Sequence, residues 1–142
     1  YDIYQPDATM GGGIGDAKKV LDACREQGLI YTPHTWTNGL GFLINLHVYA
    51  AGPRDFPFEY PYEPPGWAPE ARDALLANPI EVDADGTVAV PDVPGLGIEL
   101  DEEKLARYGR KYFDITSRGI AIKTVREKGL FAALSLARKR RR

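Results

Sequence analysis

The sequence predicts an α/β fold of consecutive strand–helix units around a parallel sheet, on three observations. Short apolar segments at residues 2–5, 29–32 and 58–60 are separated by two helical patterns, giving the order strand, helix, strand, helix, strand. The first helical pattern has an apolar stripe at i, i+3, i+4 and i+7, namely Ala17, Val20, Leu21 and Cys24. The second, at residues 40–51, is apolar almost all round (Leu40, Phe42, Leu43, Ile44, Leu46, Val48), which marks a buried helix.

Each element has its own punctuation. The first strand ends at Pro6-Asp7, and the cluster Gly11-Gly12-Gly13 leads into the first helix, which opens at Gly15-Asp16 with Asp16 as the expected N-cap. Gly28, following Arg25 in the last turn, is the expected stop. The second strand ends at Pro33-His34, and a Thr/Asn/Gly loop leads into the buried helix. A proline-rich loop at residues 61–69 precedes a short helix at 71–77, with Pro69 near its first turn. Residues 80–82 and 87–90 read as a hairpin turned at Asp85-Gly86. Asp101 is placed to cap a helix running to Tyr108, and a helical tail starts near Gly119, is interrupted at Gly129, and carries Leu130, Phe131 and Leu134 on one face.

With 142 residues, 44% hydrophobic and 27% charged, the chain is one globular domain's worth of polypeptide. Charge is unevenly spread: residues 1–109 hold 7 Lys and Arg against 18 Asp and Glu, whereas residues 110–142 hold 11 against 2. The acidic body argues against nucleic acid as a partner, since phosphate binding needs positive surface. A single cysteine, Cys24, cannot form an internal disulfide and suggests a reducing, cytoplasmic setting. No apolar run reaches membrane-spanning length and no secretory signal is visible, so no membrane partner is expected.

Functional groups in parallel α/β folds gather at the C-terminal ends of strands. Asp7, His34 and Glu59 stand at three such ends. Imidazole titrates near neutrality and moves protons, and a carboxylate on its other nitrogen fixes its tautomer. Neighbouring strands would set Asp7 beside His34, with Glu59 one strand further and able, if protonated, to hydrogen-bond a substrate oxygen. Each also has a plain structural use: Asp7 as a turn cap, His34 as a packing residue, Glu59 as a surface carboxylate. Cys24 and His47 are expected in the core, and the Gly11 to Gly15 stretch serves a tight turn, since it lacks dinucleotide-binding spacing. No Cys/His cluster suggests zinc.

The segments Gln5-Pro6-Asp7-Ala8-Thr9-Met10-Gly11-Gly12, Pro33-His34-Thr35-Trp36, Phe58-Glu59-Tyr60 and Pro91-Asp92-Val93-Pro94-Gly95-Leu96-Gly97 resemble, in order and spacing, the C-terminal part of the mandelate racemase/muconate lactonizing enzyme family of the enolase superfamily. The resemblance covers residues 1–108. It implies the C-terminal portion, strands six to eight, of a modified TIM-type (β/α)7β barrel, followed by a segment returning toward a capping domain. Residues 1–67 would be the last barrel units with the catalytic strand ends and 68–109 the hairpin and returning segment; residues 110–142, a basic helical tail with no counterpart in the family, are expected to be solvated and partly disordered rather than a binding arm. Asp7 matches the strand-six Asp, His34 the strand-seven His and Glu59 the strand-eight Glu. An Asp at position 7 rather than a Lys points away from the muconate-cycloisomerase-like and dipeptide-epimerase-like branches.

What the resemblance implies functionally is a Mg2+-dependent enzyme abstracting the α-proton of a hydroxy acid or sugar acid. Catalysis would fall to His34, Asp7 and Glu59, with His34 and Glu59 also touching substrate. The magnesium ligands and a second base would lie upstream, making the chain a fragment that is inactive alone, of a homo-oligomeric enzyme. An acid-sugar dehydratase is the favoured activity; a racemase or epimerase, or a non-catalytic remnant acting as an interaction module, are the alternatives.

Overall fold

Strand β1 (Ile3–Tyr4) pairs in parallel with β2 (Ile30–Tyr31), Ile3 opposite Ile30 and Tyr4 opposite Tyr31. This is the expected strand–helix–strand unit, seen in a computed structural model that describes residues 1–110, 116–131 and 134. The crossover is helix α1 (Ile14–Gln27). Its N-cap is Gly13 rather than Asp16: the Ala17 amide already donates to the Gly13 carbonyl at 3.0 Å, so the cap lies three residues before the expected one. Asp16 sits instead in the first turn, pairing with Lys19 at 2.7 Å, where a carboxylate complements the helix dipole. Gly28 ends the helix as expected, in the left-handed conformation at φ 67° that glycine adopts without strain.

Helix α2 (Gly39–Ala50) is capped by Asn38, whose side chain accepts from the Gly41 amide at 3.1 Å. It is apolar all round because it serves two cores. Val48 and Tyr49 join Ala8, Ala17, Leu21, Cys24 and Tyr31 in one cluster, while Phe42, Leu43 and Leu46 meet Leu76 in another. Gly41 allows the helix to come close: a β-carbon there would run into the Thr37 hydroxyl and press on the Thr9 methyl. Cys24 is buried, as expected, and burial pushes its thiol pKa up. His47 is half-buried, with Nε2 3.2 Å from the Leu96 carbonyl.

The third expected strand, residues 58–60, is extended chain outside any β ladder. Pro33 on one side and Pro57 on the other lack the N–H groups a ladder would use. Threonine hydroxyls take over: Thr32 Oγ1 donates to the Pro57 carbonyl at 2.9 Å and Thr35 Oγ1 to the Glu59 carbonyl at 2.7 Å. Helix α3 (Pro69–Arg72) is shorter than expected and gives way to turns. The expected hairpin at 80–82 and 87–90 keeps its turn, with the Asp83 amide bonded to the Thr87 carbonyl at 2.8 Å, but forms no strands. Ile80 is engaged elsewhere: its amide donates to Asp73 Oδ2, and its carbonyl accepts from Tyr60 Oη and Arg72 Nη2.

Arg72 and Asp73 form a fully buried ion pair at 2.7 Å, with the guanidinium 4.2 Å from the Tyr60 ring centroid and 5.1 Å from that of Phe42. Arg72 also donates to the Tyr60 hydroxyl and the Pro61 carbonyl, so α3 is locked to the segment that follows Glu59. Residues 75–77 receive the returning chain through Ala77 N–H to the Glu99 carbonyl and Asp101 N–H to the Leu75 carbonyl. Helix α4 (Glu102–Tyr108) is capped by Asp101, which accepts from the Lys104 amide at 2.9 Å.

A second unit comprises Gly109–Arg142. Its helix α5 (Ser117–Lys128) is capped by Thr116 and ended by Gly129, the interruption the sequence predicts. Leu130, Phe131 and Leu134 are exposed. The expectation for the arginine-rich end falls on residues 135–142, outside the described residues.

Candidate active site

Asp7 follows β1 and is 7% exposed. Its Oδ1 accepts from the Thr9 amide and hydroxyl, each at 2.7 Å, and from Asn45 Nδ2 at 2.9 Å. Burial raises the pKa of this carboxyl, but the hydrogen bonds from Asn45 and Thr9, with the nearby His34, outweigh it and hold the group below the usual aspartate value. Oδ2 is buried without a hydrogen-bond partner among the described residues. The Asp7 carbonyl turns the chain by accepting from the Met10 and Gly11 amides, which is the tight-turn use expected of the glycine cluster.

His34 follows β2 with its side chain 43% exposed, and its Nδ1 lies 3.2 Å from Glu59 Oε2. The carboxylate beside the imidazole is therefore Glu59 rather than the expected Asp7. No hydrogen bond joins Asp7 to His34 among the described residues; Asp7 Oδ1 is directed to Thr9 and Asn45. The two are linked instead through Asn45, whose amide nitrogen also reaches the His34 carbonyl at 3.3 Å. Glu59 Oε2 further accepts from the Thr35 amide at 2.8 Å, which fixes the carboxylate beside the ring.

Thr35 and Asn45 are the residues that the sequence reading missed. Both are fully buried. A lone Asn in the middle of an apolar helix was a readable signal, since an amide in a core must find partners. Thr35 carried no signal beyond its place after His34. The three candidate residues thus meet at one place, but as a His34–Glu59 pair with Asp7 held alongside.

Residues 1–104 match the family model described as enolase C-terminal domain-like. The chain belongs to that family. It is 32% identical over 111 residues to D-galactarolactone cycloisomerase of Agrobacterium fabrum, covering 75% of this chain and 29% of that protein. It is also 32% identical over 108 residues to arabinonate dehydratase of Saccharolobus solfataricus, covering 75% of this chain and 27% of the relative. Among solved structures, a predicted mandelate racemase from Rhodobacter sphaeroides superposes with a TM-score of 0.66 at 30% identity, over 82% of this chain and 29% of that one. The chain of this enolase-superfamily member therefore spans less than a third of the length of the relatives it matches.

Enolase-superfamily enzymes generally use Mg2+, which asks for near-octahedral oxygen ligands. Among the described residues no group of three or more His, Cys, Asp and Glu side chains is placed to hold a metal. Asp7, the buried carboxylate of the site, has one oxygen engaged by three donors. The described residues do not by themselves fit a magnesium ion. No helix among them is long and apolar enough to cross a membrane.

Proposed function

We propose that this chain supplies the last three strand ends, six to eight, of the barrel of an acid-sugar dehydratase, with His34 as its proton-transfer residue. The observation that carries the reading is the His34–Glu59 pair, Nδ1 to Oε2 at 3.2 Å, which leaves Nε2 of a half-exposed ring to face a substrate. In its neutral form Nε2 takes the proton from the carbon next to the substrate carboxylate. The same proton then passes to the hydroxyl departing from the neighbouring carbon, so that the C–O bond breaks, water leaves and His34 returns to its neutral form. The enol left behind tautomerises to a 2-keto acid. Glu59 steadies the positive charge on the ring while it holds the proton. The arabinonate dehydratase relative supports dehydration over the racemase alternative and a sugar acid as substrate. Any metal ligands, a second base and the subunit contacts of a homo-oligomer are assigned to parts of the protein outside these residues.

The test uses the full-length protein and a panel of sugar acids, with 2-keto acid formation as readout. His34→Asn is expected to lower kcat/KM by about 10²–10⁴-fold, the range general acid–base catalysis supplies, with an unchanged melting temperature. Near-wild-type turnover by that variant would remove His34 from the role. Exchange of the α-hydrogen with solvent deuterium, without loss of water, would move the assignment to racemisation.

A further inference from the structure

We infer that Asn45 is a positioning residue of this site, a buried amide that ties Asp7 at the end of β1 to His34 at the end of β2. Its side chain has no solvent exposure. Oδ1 accepts from the Ala8 amide at 2.9 Å, while the two N–H groups of Nδ2 are shared among three acceptors, Asp7 Oδ1 at 2.9 Å, the Gly41 carbonyl at 3.1 Å and the His34 carbonyl at 3.3 Å. One side chain on α2 therefore reaches the residues that follow both strands.

The need for such a tie comes from the shortness of the sheet. β1 and β2 pair over two residues each, and the last bond of the ladder is from the Thr32 amide to the Tyr4 carbonyl. Beyond it no backbone hydrogen bond among the described residues joins the chain at residue 7 to the chain at residue 34. An asparagine is suited to the gap because it offers an acceptor and two donors at once. Alanine would leave the Ala8 amide without its acceptor and Asp7 without one of its donors. An ionised aspartate would keep the acceptor and face Asp7 with a second negative charge.

The titratable groups around the tie are Asp7, His34, Glu59 on the far side of the ring, and the Tyr31 hydroxyl, which interacts with Asp7 and with Cys24 of α1. The hydrogen bond from Asn45 is the largest of the influences that keep Asp7 ionised.

The inference rests on His34 being the proton-transfer residue, and the two are tested separately. In the full-length enzyme Asn45→Ala is expected to lower kcat on the order of 10²-fold with KM little changed, the size of loss that a small misplacement of a catalytic group produces. Asn45→Asp should match it at neutral pH and recover part of the lost turnover toward acid pH, as the new carboxyl gains a proton to donate to Asp7. A purely packing role predicts lower melting temperatures, but the wild-type kcat and pH profile per folded molecule; that result overturns the inference. The wild-type protein provides an arm that needs no folded variant. With asparagine selectively labelled with ¹⁵N, the Asn45 side-chain amide resonances are expected to shift as Asp7 gains its proton, and resonances that stay fixed through that titration overturn the inference. Should His34→Asn leave turnover intact, the functional reading falls, while the amide titration still decides whether Asn45 ties the two strand ends.

Discussion

Asp7 shows how a buried carboxylate can remain charged. Burial favours the neutral form, yet three donated hydrogen bonds on one oxygen and the neighbouring imidazole win, so the folded chain binds a proton less readily than the unfolded chain. The sign of the linkage follows. A carboxyl with a lowered folded-state pKa contributes stability above its ordinary value near 3.8, and that contribution is lost as pH falls through the folded-state value. Asp7→Asn keeps an oxygen for Thr9 and Asn45 but removes the charge. The wild type should therefore melt higher than the variant at pH 6, and the gap should close as pH is lowered through 4 and below. Thermal melts across that range check it; a gap that stays constant would show that the charge contributes nothing to stability.

At the scale of elements, α2 places the buried machinery of the site, and its start depends on one side chain. Asn38 accepts from the Gly41 amide, and losing such a cap costs about 1 kcal/mol. Asn38→Ala is expected to lower stability by roughly that amount in urea unfolding, while Asn38→Ser should recover most of it. Much of this helix was legible in the sequence, because a largely apolar stretch between a Thr/Asn/Gly loop and Ala51 has few other uses. Gly28 and Asp101 were legible for a similar reason: their conformational and capping preferences are local. The strand expected at 58–60 was misread because its fate depends on distant groups. Pro33 and Pro57 remove donors from two segments that only the fold brings together. The hairpin at 80–90 failed in the same way, since Arg72, Asp73 and Tyr60 take up the polar groups of Ile80 that a partner strand would have used. The site was legible in its membership and not in its wiring. Strand-end position picked out Asp7, His34 and Glu59, but that Thr9 and Asn45 would claim Asp7 and leave Glu59 to His34 depended on rotamers the sequence does not encode locally.

At the scale of the whole molecule, the unit Tyr1–Tyr108 has little regular sheet to hold it. Its later half is held by the side chains of the Arg72–Asp73 pair and of Tyr60 on Ile80, and by the Glu63–Trp67 backbone bridge beneath an exposed turn. Arg72 grasps Tyr60 and Pro61 from the far side of that turn. Once folded, the chain hardly needs its covalent bond there. A break between Pro65 and Gly66 would sever the polymer and leave the architecture standing, so this protein should be obtainable as two polypeptides that find each other. Co-expression of the two pieces, one ending at Pro65 and the other beginning at Gly66, is expected to give a complex that co-elutes in size-exclusion chromatography and melts as one species. If the pieces elute separately, the continuity of the backbone, and not the guanidinium grip, is what keeps them together.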